Sequence, residues 1–207
     1  MYGSVVAVAL ILSAFDFLGT SSPALARPPC RVAPNAPGQN DVTSSLPCRK
    51  SGSLLLDFLM HLNLPQFDQF VAANHFLEGQ SREQLQITWI GANFRRHFLN
   101  KIEGPAPARE FDVYRLKRFA HNDTIIGEIG GEPEVMLHDI WVLLTHQSHG
   151  EQGPLQTDAR PNLFYVRDST GLLWAVDTVW GGAGWEVGAS RLDEPRQWDA
   201  QIEVITR

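Results

Sequence analysis

From Leu54 onward, dense apolar clusters alternate with short polar breaks, and the spacing inside the clusters changes along the chain. Leu54, Leu55, Leu56, Phe58, Leu59 and Leu62 group as the apolar side of a short helix. Asn63-Leu64-Pro65 ends it, and Pro65 suits the first turn of a second helix. Phe67, Phe70, Val71, Phe76 and Leu77 give that helix a broad apolar face, with Gly79 as its stop. Ser81 and Gln84 have the spacing of a capping box. A third helix is predicted from there to about Ile102. Ile87, Ile90, Phe94, Phe98 and Ile102 form its stripe, and Trp89 and Leu99 widen it. Gly91 interrupts it mildly, at about 1 kcal/mol relative to alanine. Gly104-Pro105-Ala106-Pro107 closes the block.

The second half changes character. Phe111, Val113, Leu116 and Phe119 suggest a strand, and Thr124 to Ile129 a second, ended by Gly130-Gly131. After Pro133, Met136, Leu137, Ile140, Trp141 and Leu144 outline a helix that Gly150 stops. Asn162 to Val166 is a strand, and Asp168-Ser169-Thr170-Gly171 a turn. Leu172, Trp174, Val176 and Trp180 then share one parity. Gly181 to Gly184 turns the chain again, and Trp185, Val187 and Ala189 alternate with Glu186, Gly188 and Ser190. A last strand has Trp198, Ala200, Ile202 and Val204 on one side. Short links between such strands predict an antiparallel meander. The fold expected is α+β: N-terminal helices packed on a curved antiparallel sheet, with a C-terminal β-meander.

Ahead of this domain, residues 53–207, the chain reads differently. Val5 to Leu18 is apolar apart from Ser13 and Asp16, and Pro23-Ala24-Leu25-Ala26 offers a signal-peptidase site. Residues 1–26 therefore read as a cleaved export signal, too short for an ordinary membrane span. The expected location is the periplasm or outside the cell. Residues 27–52 are rich in proline and predicted to be irregular. They hold the two cysteines, Cys30 and Cys48, which in an oxidising compartment form a disulfide worth about 3 kcal/mol by chain entropy.

Composition narrows the function more than it defines it. Seventeen basic against 23 acidic residues give a net charge of -6. This leaves no electrostatic footprint for nucleic acid or a polybasic membrane contact. Phosphate loops, the nucleophile elbow of hydrolases, dinucleotide-binding glycines and zinc-finger spacings are missing from the sequence, and no cofactor is expected. His146 and His149 lie one turn apart, with His138 and Asp139 two turns back, but the HExxH arrangement is absent and no metal site is expected. His121 and Asp123 read as turn residues.

Two sets of residues carry candidate chemistry. Four of six tryptophans lie in the last 34 residues, and Trp180 and Trp185, flanking the glycine turn, are the candidate ligand-binding pair. Asp177 lies inside the most apolar strand and Glu186 near the same turn. Two carboxylates facing one pocket suit acid and base roles in glycoside hydrolysis. The leading expectation is an exported, non-catalytic binding protein or envelope-associated domain with a protein or glycan partner. The alternatives are a small secreted hydrolase of glycan or cell-wall material, using Asp177 and Glu186, and a structural subunit of an envelope assembly. Mass spectrometry of the exported protein is expected to find Arg27 as its first residue, and thiol labelling without reductant to find Cys30 and Cys48 protected. An intact Met1 or two labelled thiols would overturn these readings.

Overall fold

Alternation of side chains along extended backbone, rather than helical periodicity, organises most of the regular structure among the described residues. The structure, a computed structural model, describes residues 53–79 and 85–207. The export segment, residues 27–52 with Cys30 and Cys48, and the Ser81–Gln84 capping pair lie outside the described residues.

In chain order the elements are β1 (Leu56–Leu64), β2 (Phe70–Val71), a 3-10 turn (Ala72–Asn74), β3 (Ile87–Ile90), α1 (Ala92–His97), β4 (Ile102–Glu103), β5 (Arg109–Leu116) and β6 (Ala120–His121). They continue as α2 (Asn122–Ile129), α3 (Leu137–His146), β7 (Asn162–Arg167), β8 (Leu173–Trp180), β9 (Trp185–Arg191), β10 (Gln197–Trp198) and β11 (Glu203–Thr206). Seven strands make one mixed sheet in the order β1-β5-β11-β7-β8-β9-β3. β11 with β7 and β3 with β9 are parallel, and the other neighbours antiparallel. β2 with β4 and β6 with β10 form two small ladders.

This corrects the expected α+β arrangement of N-terminal helices on an antiparallel sheet. The described residues are mostly sheet, the sheet is mixed, and the three α-helices are short. The segment expected as a first helix is β1. Its register slips between Phe58 and Met60 where it pairs with β5, so its apolar residues lose strict alternation and mimic a helical cluster. The second expected helix is β2 and the 3-10 turn. The stripe of the third is buried at Ile87, Ile90, Phe94 and Phe98, but two elements build it. β3 ends at Gly91, whose extended backbone (φ -64°, ψ 152°) caps the six-residue α1, and Ile102 lies outside the stripe, 61% exposed.

Thr124 to Ile129, expected as a strand for its β-branched residues, is helix α2. Ile125 is buried and Ile126 and Ile129 pack beside it. Gly130 ends α2 in the left-handed region (φ 71°), donating its N–H to the Ile126 carbonyl. The expected four-strand meander holds for β7, β8 and β9 only. β10 leaves to pair with β6, Gln201 turns the chain at φ 73°, and β11 inserts between β5 and β7.

The mixed order follows from burial on both faces. Phe164, Val166, Trp174, Val176, Trp185 and Val187 pack with α1 and α3 on one face. Leu163, Tyr165, Ala175 and Val204 pack with Ile125 of α2 and with Trp198 on the other. Buried carboxylates fix the ends of the helical layer. Glu103 accepts the Leu137 and His138 N–H groups at 2.9 and 3.0 Å, closing the start of α3, where negative charge is favoured. Asp139 accepts the Met136 N–H and pairs with buried Arg109.

Asp168 organises the β7–β8 turn. One oxygen accepts from the Thr170 N–H and hydroxyl and the Leu172 N–H, and the other accepts the Trp174 indole N–H at 3.0 Å. Burial pushes its pKa up, but these hydrogen bonds outweigh burial and hold the carboxyl below its usual range. Replacement Asp168→Ala strands the buried Trp174 indole N–H and releases the turn donors of Thr170 and Leu172, and is expected to cost about 2 kcal/mol in urea unfolding. A change within experimental error would show that the turn does not depend on the carboxylate.

Candidate functional site

Strand register brings the candidate carboxylates together. In the β8–β9 ladder Asp177 stands opposite Gly188 and Val179 opposite Glu186, and in the β9–β3 ladder Glu186 stands opposite Trp89. Alternate residues of a strand share a face, so Asp177, Glu186, Ser190 and Trp89 lie on one face. It is the face that α2 and Trp198 cover further along the sheet. Asp177 and Glu186 are diagonal neighbours there, positions about 7–8 Å apart in an antiparallel pair.

Two glycines make room for these acids. A Cβ at Gly188 would lie 3.0 and 3.2 Å from the Asp177 oxygens, so the carboxylate rests on bare backbone. A Cβ at Gly181 would lie 2.9 Å from Glu186 Oε1. The Asp177 carboxyl is largely buried, and burial pushes its pKa above the usual value. Arg196 opposes this from 3.3 Å, and its guanidinium carbon lies over the Trp198 ring, 3.9 Å from the centroid. Glu186 is exposed and has no ion-pair or hydrogen-bond partner among the described residues. Ser190, 5% exposed, has a hydroxyl with no hydrogen-bond partner and stands diagonal to Asp177.

Trp89 is half exposed (50%), on β3 at the edge of the seven-stranded sheet. Its indole folds over Gly91, where a Cβ would stand 2.8 Å from the ring. No protein-family model matches this chain, and no curated protein or solved structure matches it.

The expected aromatic pair sits elsewhere. Trp185 is fully buried on the opposite face and donates its indole N–H to the Gln147 carbonyl at 2.8 Å. Trp180 is half-buried, edge-on to Trp185 at 5.5 Å, and packs so closely on Gly150 that a Cβ there would meet the ring at 2.3 Å. Both close the core around the loop after α3. His146 and His149 are exposed at and beyond the end of α3, while His138 is buried and stacks on Phe67 at 3.9 Å. Among the described residues no three His, Cys, Asp or Glu side chains are placed to hold a metal, and no helix is long and apolar enough to cross a membrane.

Sequence reasoning passed over Trp89 and Arg196. Within a helical stripe Trp89 reads as core. Its signal was the unequal spacing of Ile87 and Ile90, which no regular strand could bury together without the register shift seen between Ile87 and Trp89.

Because the folded pKa of Asp177 is raised, the group lowers stability once pH exceeds its unfolded value of about 3.9, and contributes nothing well below it. Replacement Asp177→Asn is therefore expected to raise the urea midpoint at pH 7, with the gain fading as pH falls below about 4. A gain independent of pH, or a loss at pH 7, would contradict the assignment.

Proposed function

We propose that this chain is an exported, non-catalytic binding protein that takes a glycan on the β8–β9–β3 face. The observation that carries the reading is Trp89, a half-exposed indole in register with Glu186 and on the same face as Asp177. The electron-rich face of an aromatic ring attracts the C–H groups on the flat side of a hexose. Carboxylates beside it accept hydrogen bonds from the sugar hydroxyls. Export, read from Val5 to Ala26, would place the domain where polysaccharides are met.

A second reading is favoured by the diagonal of Asp177 and Glu186. One carboxyl is pushed toward its neutral form by burial and the other is exposed, the division of labour that glycoside hydrolysis uses. Their diagonal positions put both on one face of the β8–β9 ladder, as a pair of acid and base carboxyls requires.

Calorimetric titration with the tetramer of N-acetylglucosamine is expected to show binding that Trp89→Ala weakens by roughly tenfold, about 1.4 kcal/mol. Equal binding by wild type and Trp89→Ala would remove the platform. Cleavage of the tetramer, lost in Glu186→Gln, would establish the hydrolase reading in its place.

A further inference from the structure

We infer that the glycan taken on this face carries a protonated amine, the chemistry of a de-N-acetylated amino sugar. The inference rests on the glycan reading and adds the charge of the ligand. Its basis is an imbalance of charge around the exposed ring. Trp89 has Glu186 beside it in register and Asp177 one diagonal further along. The cation paired with Asp177 is Arg196, which is committed to the Trp198 ring and to Asp177 Oδ1. Glu186 has no cation of its own among the described residues.

An aromatic face with an uncompensated carboxylate at its edge selects for a cation. The ring attracts positive charge to its electron-rich face, and the carboxylate adds a charge-assisted hydrogen bond. The whole chain, at net charge -6, reinforces this sign. A neutral N-acetyl group keeps the stacking surface of the sugar and loses the charge. A carboxylate-bearing sugar would meet Glu186 with the same sign. The two amino-sugar forms thus separate stacking from charge within one carbohydrate skeleton.

The test compares the tetramers of glucosamine and N-acetylglucosamine by calorimetry on the exported chain at pH 6, where the free amine of glucosamine is protonated. The glucosamine tetramer is expected to bind roughly tenfold more tightly, with an advantage that falls as salt is raised. Glu186→Gln is expected to abolish that advantage, weakening the glucosamine tetramer roughly tenfold more than the N-acetylated one, and Trp89→Ala to weaken both by a similar factor. Equal affinity for the two tetramers, or an advantage that survives Glu186→Gln, would overturn the amine while leaving the glycan reading in place. Binding of neither tetramer by a folded wild-type chain would overturn both.

Discussion

A strand whose residues are apolar at both parities needs cover on both sides. Leu163, Phe164, Tyr165 and Val166 of β7 are all fully buried. One face of β7 takes the layer of α1 and α3, and the other takes α2 and Trp198. Two-sided burial is the usual condition of strands with parallel partners, and β7 lies parallel to β11. The chain must then leave the β7–β8–β9 meander and return between β5 and β7. A buried carboxamide helps tie down the second layer. Asn122 Oδ1 accepts from the Tyr165 hydroxyl at 3.2 Å and from the Trp198 indole at 2.7 Å. It thereby joins strand, helix and C-terminal crossover at one buried atom.

The candidate site lies where this second layer gives out. Toward β3 the same face carries Trp89 and Glu186 exposed, and Asp177 at the margin of the cover. Burial therefore grades along the face. One carboxyl is pressed toward its neutral form and the next is left in water, with Arg196 laid on Trp198 at the boundary. Gly188 permits this gradient, because a side chain there would lift Asp177 off the sheet.

What could be read from residue order follows how far each element obeys one period. β8 and β9 alternate without a break and were legible, including the parity that sets Trp174 and Val176 apart from Asp177. α3 was legible from its 3.6-residue spacing. β1 and β3 each contain a register shift, so their apolar residues fall at helix-like intervals. α2 is rich in β-branched residues, whose preference for strands yields here to the packing of Ile125 against the second face. For the site, Asp177 and Glu186 were visible as acids in an apolar context, but only pairing across β8 and β9 sets them on a common face. Trp89 was hidden by a helical stripe that does not exist as one element, and Trp185 is a core residue despite its place beside a glycine turn.

The buried carboxamide that fastens the second layer also bears on where this chain can be made. Asn122-Asp123-Thr124 has the form of an N-linked glycosylation acceptor, and its acceptor nitrogen belongs to a side chain 2% exposed in the folded protein. An oligosaccharide transferred to that nitrogen during passage through a eukaryotic secretory pathway would arrive before the domain closes. It would keep the Asn122 carboxamide from its buried place against Tyr165 and Trp198. The native fold and modification of Asn122 therefore exclude one another, and a host without this transferase, or a Thr124→Ala chain, avoids the conflict.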